Sequence, residues 1–128
     1  MDFFNDSKAT NVDAAVKAVK SFDRQLILIA GGLHKGSDYD PLVKASIGKV
    51  KHCVFLGKAK DLMAKAFDGY IGYDFAKDMN EAVVIAFSRS SSGDVVLLSP
   101  ACSSFDMYED YADRGRVFRT AVEMLGNA

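Results

Sequence analysis

The sequence has little of what builds metal sites and disulfide frameworks. Its 128 residues contain two cysteines and two histidines, too few for a disulfide scaffold or for the Cys and His clusters of a zinc site. Cys53 lies in "HCVFL", which is typical of a buried strand, and Cys102 lies in a loop. We therefore predict no metal site, and we expect a reduced, cytoplasmic domain.

Long apolar runs and an excess of charge of either sign are missing as well. No run approaches the ~18–20 apolar residues of a membrane span, and the opening "MDFFND" lacks the basic and then apolar layout of a signal peptide. The net charge of −1 gives no basic face of the kind that nucleic-acid binding needs. Nucleic acids and membranes are therefore not expected partners. Because 49% of the residues are hydrophobic, one domain can bury a core of its own.

Apolar runs alternate with stretches of helical spacing along the chain. The runs predict strands at 25–30, 52–56 and 94–98, a weaker one at 69–75, and a first strand that opens at Phe3. The spacing predicts helices over 12–20, 59–67, 76–87 and 105–125, the last one broken at Gly115, and a short helix after Asp38. This alternation predicts an α/β fold, a Rossmann-like three-layer domain whose mostly parallel sheet has helices on both faces.

Three loops stand out because together they offer glycines, hydroxyls and lysines. They are "NDSKATN" (5–11), "GGLHKGSD" (31–38) and "SPACSSFD" (99–106), and each follows a predicted strand, where ligands of such sheets bind. Thr10 or Asn11 is the expected N-cap of the first helix, and Ser103 or Ser104 that of the last. Since helix N-termini attract anions, the loops predict a pocket for a small dianion, with one or two lysines beside it.

Simpler explanations exist for parts of these loops. Thr10 with Asp13 can form a capping box, and "GGLHKG" (31–36) matches neither nucleotide-binding glycine fingerprint. His34 is expected to be a turn residue and Cys102 a packed thiol, since no Cys–His–Asn arrangement can be assembled from the sequence. No general base or nucleophile stands out. We therefore expect positioning and charge stabilisation, with the reaction centre in another part of a larger protein.

The same stretches, above all "LLSPACSSFDMYEDYADRG" (97–115), resemble the C-terminal domain of the D-glutamate-adding members of the Mur ligase family. The resemblance runs from Phe3 to Val122, and related Mur ligases have a DxAHxP-type stretch where this chain has "DSKATN". It implies that residues 1–128 form the amino-acid-binding domain, and that the N-terminal UDP-binding and central ATPase domains are absent from this sequence. No GKT-type phosphate loop occurs in it.

The resemblance also implies a reaction. ATP activates the carboxylate of UDP-N-acetylmuramoyl-L-alanine as an acyl phosphate in peptidoglycan synthesis, and the amine of D-glutamate attacks it. ATP and Mg²⁺ would be cofactors of the whole enzyme, with none bound tightly by this domain alone. The implied partners are D-glutamate, ATP or ADP, the UDP-linked substrate and the central domain of the same polypeptide. We expect a monomer that does not turn over by itself.

Four residues are implied to bind D-glutamate. Thr10 and Lys35 would bind one end of it, and Ser104, together with Tyr111 or its backbone, would hold the other carboxylate. This chain departs from the family at two places. Tyr111 stands where Phe is common, and Ser103 stands where Ala is usual.

Two further residues are implied to face the nucleotide, Asp6 at the ribose and Lys8 near the terminal phosphate. Two alternatives to this function stay open. One is a stand-alone α/β module that binds an anion or nucleotide without catalysis, and the other is the C-terminal domain of another amino-acid-adding Mur-type ligase.

Overall fold

Strands and helices alternate through the chain, as the sequence predicts. In the computed structural model, residues 1–34 and 36–126 are described. The strands are β1 (Asp2–Asn5), β2 (Leu26–Gly31), β3 (Val50–Leu56), β4 (Gly72–Phe75) and β5 (Val95–Leu98). The helices are α1 (Val12–Lys20), α2 (Asp40–Ser46), α3 (Lys60–Phe67), α4 (Met79–Arg89) and α5 (Tyr111–Gly126).

The strands form one sheet in the order β1-β5-β2-β3-β4. All four neighbouring pairs run parallel, so the predicted parallel sheet is confirmed. Its central strands β2 and β5, "LILIAG" and "VVLL", are buried at every position, because a parallel sheet is covered on both faces. The edge strands β1 and β4 are partly exposed.

Helices cover both faces of the sheet. Successive side chains of a strand point to opposite faces, so Leu28 packs in one core with α1, α2 and α3, while Ile27 and Ile29 pack in a second core with α4 and α5. The predicted three-layer fold is confirmed. Within residues 1–34 and 36–126, no helix combines the length and the apolar character that crossing a membrane requires.

The loops that follow β1 and β5 start side by side at the carboxyl edge of the sheet, because the two strands are neighbours. The chain leaves β1 toward α1 on one face and leaves β5 toward α5 on the other. The carboxyl edge is where α/β sheets bind ligands.

The last helix begins later than the sequence predicts. The prediction placed its start at Phe105, but α5 begins at Tyr111, and the carboxylate of Asp110 caps it by accepting a hydrogen bond from Asp113 N at 2.7 Å. The prediction that Ser103 or Ser104 is the N-cap is therefore wrong. In the segment 103–110, Ser103 O accepts from Leu33 N of another loop, and Tyr108 N donates to Ser104 O in a local turn.

Gly115 does not break α5, contrary to the prediction, and instead lets the helix approach β1. A Cβ at this position would lie 3.2 Å from Asn5 Nδ2 and 3.4 Å from the Cβ of Ser7. Asn5 Nδ2 donates a hydrogen bond to Gly115 O at 3.1 Å. The helix thus lies directly against the start of the β1–α1 loop.

Candidate functional site

Two loops from opposite ends of the chain enclose a cleft at the carboxyl edge of the sheet. The structure brings three predicted residues together there, Thr10 from the β1–α1 loop, Ser104 from the β5–α5 loop and Tyr111 from the start of α5. We call this the threonine cleft; its volume is about 230 Å³, and it is also lined by Ser103, Phe105 and Asp110. Ser104 is almost fully buried, whereas the Tyr111 side chain is exposed. The three residue types offer hydroxyl groups and no carboxylate of their own.

The fourth residue predicted for this cleft, Lys35, lies outside the described residues, so its role stays a prediction. In the sequence it belongs to the β2–α2 loop, which also contains Leu33. Leu33 N donates a hydrogen bond to Ser103 O at 2.9 Å, which joins this loop to the β5–α5 loop.

The structure places Asp6 and Lys8 outside the threonine cleft. Both line a separate groove of about 390 Å³ between β1 and α1. The carboxylate of Asp6 accepts a hydrogen bond from Ser99 Oγ at 3.2 Å, while Lys8 is exposed. Lys8 also lines a third cleft, which it shares with Tyr111. The predicted nucleotide-binding residues therefore lie outside the threonine cleft, although Lys8 meets Tyr111 in this third cleft.

The N-termini of α1 and α5 both lie at the threonine cleft, and the cap of each is already satisfied. Asn11 is the N-cap of α1, and its Oδ1 accepts a hydrogen bond from Ala14 N at 2.9 Å. The sequence allowed Thr10 or Asn11 as the N-cap, and the structure has Asn11. The hydroxyl of Thr10 takes no part in the cap. A ligand at Thr10 would lie at the positive end of the helix dipole.

Arg114 is a residue of the site that the sequence analysis missed. It is 2% exposed, and its guanidinium donates hydrogen bonds to Ser7 Oγ at 3.0 Å, to Ser7 O at 2.9 Å and to Cys102 O at 3.0 Å. Ser7 belongs to the β1–α1 loop and Cys102 to the β5–α5 loop. One side chain therefore ties together the two loops that form the threonine cleft.

The charge of Arg114 affects the cleft as well. Burial lowers the pKa of the Arg114 guanidinium, although arginine remains protonated in proteins. None of the ion pairs among the described residues includes it. A buried positive charge without a carboxylate in contact favours an anion in the neighbouring cleft.

The helical position of Arg114 is the signal that could have revealed it. In α5 it precedes Phe118 by four residues and Ala121 by seven, and both of these are buried. Residues at this spacing share one face of a helix. Charged residues are usually exposed, so this spacing alone does not lead one to expect a buried arginine.

Ser7 links Arg114 to the start of α5. Its hydroxyl accepts from Arg114 Nε and donates to Tyr111 O at 2.6 Å, and its own N–H donates to Asn5 Oδ1 at 3.2 Å. Ser7 is 5% exposed, so the hydroxyl is part of the protein's internal hydrogen bonding. It fixes the backbone of Tyr111 beside the threonine cleft.

Unusual backbone conformations let the three loops approach one another. Gly32 has a φ of +147°, and a Cβ there would lie 2.3 Å from Ser103 O. Ala101 has a φ of 62°, a left-handed conformation that costs an alanine roughly 1–2 kcal/mol, and its N–H donates to Ala9 O at 2.9 Å. Such strain persists where the surrounding contacts impose it, and it is frequent at functional sites.

A hydrogen-bonded chain joins the β2–α2 loop to the β5–α5 loop through His34, Tyr39 and Cys102. Tyr39 OH lies 2.8 Å from His34 Nδ1 and 3.3 Å from Cys102 Sγ. Burial raises the pKa of both Tyr39 and Cys102, so the thiol is protonated at neutral pH. Cys102 is thus a packed thiol, as expected. In the described part of the chain, no three His, Cys, Asp or Glu residues come close enough to hold a metal ion.

Known proteins are similar to this chain in sequence and in fold. The family model of the Mur ligase glutamate ligase domain matches residues 1–102. The UDP-N-acetylmuramoylalanine–D-glutamate ligase of Caldicellulosiruptor saccharolyticus is 46% identical over 125 residues, which are 96% of this chain and 28% of that protein. The enzymes of the same name from Clostridioides difficile and Porphyromonas gingivalis are 45% and 46% identical and are covered over 28% and 27% of their length.

The chain thus spans little more than a quarter of the curated relatives that it matches. A solved structure, the murein peptide ligase of Psychrobacter arcticus, aligns with a TM-score of 0.53 over 88% of this chain and 25% of the other. Its sequence identity of 12% makes this a likeness of fold. The family model ends before Ser104 and Tyr111, whereas the alignments with the D-glutamate ligases span 96% of the chain and include both residues.

Proposed function

The chain belongs to the Mur ligase family, in its glutamate ligase domain, and from this we propose that it is the amino-acid-binding domain of a ligase that joins D-glutamate to UDP-N-acetylmuramoyl-L-alanine. Residues 1–128 supply this one domain. The UDP-binding and ATPase domains, with the sites for ATP and Mg²⁺, belong to the rest of a longer cytoplasmic polypeptide.

The observation that carries this proposal is the composition of the threonine cleft. Its volume of about 230 Å³ falls below the roughly 300–1,000 Å³ of pockets for drug-sized ligands, so it suits a molecule as small as one amino acid. Thr10 and Ser104 offer hydroxyls to it, and the carboxylate residue in its lining, Asp110, accepts a hydrogen bond from Asp113 N. The N-terminus of α1 begins beside Thr10, and the buried guanidinium of Arg114 joins the two loops that form the cleft. These features favour a small ligand with negative charge.

In the proposed complex, each carboxylate of D-glutamate binds at a different end of the cleft. The Thr10 hydroxyl and the Lys35 ammonium would donate to one carboxylate, and Ser104, with the backbone near Tyr111, would hold the other. A hydrogen bond to a charged group contributes roughly 1.5–3 kcal/mol, and association costs about 4 kcal/mol or more. We therefore expect the chain alone to bind D-glutamate with a Kd on the order of 1 mM or weaker.

This domain would contribute to the reaction through positioning. ATP supplies the phosphoryl group that activates the substrate carboxylate, and the nitrogen of D-glutamate then forms a bond to that carbon as phosphate leaves. Holding the amine at the reacting carbon lowers the barrier without any general base from this chain. Asp6 and Lys8 fit a place at the nucleotide, because one is a hydrogen-bond acceptor suited to a ribose hydroxyl and the other an exposed cation.

An NMR titration of the ¹⁵N-labelled chain tests the proposal. D-Glutamate should shift the backbone signals of Thr10 and Ser104 more than L-glutamate does, and T10V and S104A should each weaken the response. S92A and T120V are matched controls, since both residues are exposed and line none of these clefts. ATP together with both substrates should give no phosphate release from this chain alone.

Two results would contradict the proposal. If a folded chain gives no response to either glutamate up to tens of millimolar, it has no amino-acid site of its own. If L-lysine or diaminopimelate shifts the same signals at lower concentration than D-glutamate, the chain belongs to a ligase that adds another amino acid.

A further inference from the structure

We propose that a second cleft of this chain binds the phosphate groups of a nucleoside polyphosphate, with Arg116 and Arg119 as phosphate-binding residues beside Lys8. This cleft, which we call the arginine cleft, has a volume of about 390 Å³ and lies between the β1–α1 loop and the first turns of α5. The inference rests on the proposed function in one respect, the nucleotide-facing role of Lys8. The sequence analysis singled out neither arginine.

The floor of the arginine cleft is held in place by hydrogen bonds within the protein. Asn5 Nδ2 donates to Gly115 O at 3.1 Å, and Ser7 Oγ donates to Tyr111 O at 2.6 Å. These bonds join the end of β1 and the β1–α1 loop to α5, and Arg114 donates to both the hydroxyl and the carbonyl of Ser7. The shape of the cleft is therefore set before a ligand arrives, which reduces the entropy lost on binding.

Three cations line this cleft and only one carboxylate compensates them. Arg116 lies 3.5 Å from the carboxylate of Asp113, whereas neither Lys8 nor Arg119 forms an ion pair with any of the described residues. The chain as a whole has a net charge of −1, so this cluster is a local excess of positive charge. Such an excess attracts a multivalent anion.

The spacing of the two arginines suits adjacent phosphate groups. They are three residues apart and thus neighbours on the surface of α5. The positions one turn earlier, Ala112 and Gly115, also line the cleft. Because these residues are small, they leave space for a ligand between the cations. Each guanidinium can donate two parallel hydrogen bonds to one phosphate, so two arginines and a lysine match a chain of phosphates better than a single carboxylate.

Two ligands of the proposed enzyme carry this chemistry, the triphosphate of ATP and the diphosphate of the UDP-linked substrate. The test therefore uses inorganic tripolyphosphate, ATP and UDP as separate probes of the ¹⁵N-labelled chain, at low ionic strength and without divalent metal. We expect shifts of the backbone signals of Asn5, Lys8, Arg116 and Arg119. Added salt should weaken the response, because these charges are exposed and therefore screened.

Substitutions identify the residues responsible. R116Q and R119Q should each weaken binding of the responding probe about three- to tenfold, the range for one partly solvated charge-assisted contact, and R116Q/R119Q should weaken it further. K44Q is the matched control, because Lys44 is an exposed cation on α2 and its loss should change nothing. The remaining signals of each spectrum report whether the variant is folded.

Each outcome decides the inference. A stronger response to ATP and tripolyphosphate assigns the cleft to the triphosphate, and a stronger response to UDP assigns it to the diphosphate. If K8Q weakens binding while R116Q and R119Q do not, the inference is wrong and the nucleotide role of Lys8 stands. If no probe shifts these signals while D-glutamate still shifts those of Thr10 and Ser104, the inference and the role of Lys8 both fail, and the amino-acid site stands.

Discussion

Replacing Arg114 by methionine tests whether one buried guanidinium holds the two loops of the site together. Methionine approaches the length of arginine and fills irregular space well, but it donates no hydrogen bond. R114M would leave Ser7 O and Cys102 O, which accept from the guanidinium at 2.9 Å and 3.0 Å, without this donor. It would also remove the bond from Arg114 Nε to Ser7 Oγ.

The expected loss of stability follows from these contacts. A buried acceptor without a partner costs about 1–3 kcal/mol, so two carbonyls cost about 2–6 kcal/mol. Removing the charge offsets part of this, because burying the guanidinium is itself unfavourable, as its lowered pKa indicates. We therefore expect R114M to reduce the free energy of unfolding by about 2–4 kcal/mol.

Urea unfolding measures this loss. With an m-value of about 2 kcal/mol/M, ordinary for a small domain, the midpoint should fall by about 1–2 M. R119M is the control, since Arg119 is an exposed arginine on the same helix, and its loss should change the free energy by less than about 0.5 kcal/mol. R114K should lie between wild type and R114M, because lysine keeps the charge but not the planar fork.

A free energy of unfolding for R114M within about 0.5 kcal/mol of wild type, the range of ordinary surface substitutions, would refute this reasoning. It would mean that water or a small loop movement satisfies both carbonyls. If R114K were no more stable than R114M, the charge would contribute nothing, and geometry alone would account for the role of Arg114.

Three further predictions concern packing, pH and thiol reactivity. G32A should reduce the free energy of unfolding by more than about 2 kcal/mol, because its Cβ would lie 2.3 Å from Ser103 O. G93A, at a positive φ but in open space, should reduce it by only about 1–2 kcal/mol. Equal losses in urea unfolding would contradict the steric argument. The Lys51 ammonium and the Ser91 N–H hold the pKa of Asp94 below its ordinary value, so the stability from this carboxylate is present at neutral pH and is lost as the pH falls below about 5. The urea midpoint of D94N should therefore fall less over that range than that of wild type. Burial raises the pKa of both Cys53 and Cys102, so Ellman's reagent should modify both thiols in urea and neither in the folded chain at neutral pH.

The carboxyl-edge rule explains why much of the threonine cleft was predictable. Thr10 and Ser104 are far apart in the sequence, but each follows a strand, and the carboxyl ends of parallel strands meet at one edge. Correct strands were therefore sufficient to bring these residues together. Local apolar runs carried the necessary information, since β2 and β5 are buried throughout.

The segment before α5 was not predictable from local spacing. The apolar residues at 108, 111 and 112 extend the helical spacing of α5 toward the N-terminus, which predicts an earlier start. Tyr111, however, is exposed and lines the threonine cleft. The backbone of Ser103 instead pairs with Leu33 on another loop. A contact between residues so distant in the chain leaves no trace in the periodicity of either segment.

Buried and exposed residues of the site perform different tasks. Arg114 and Ser7 are buried and hold the loops of both clefts through contacts inside this chain, while Lys8, Arg116 and Arg119 are exposed and line the arginine cleft. Exposed charges bind weakly in water because the solvent competes for them. Excluding that solvent, as a neighbouring domain would, strengthens the same contacts. Substituting the buried residues should therefore lower stability and binding together, whereas substituting the exposed cations should lower binding alone.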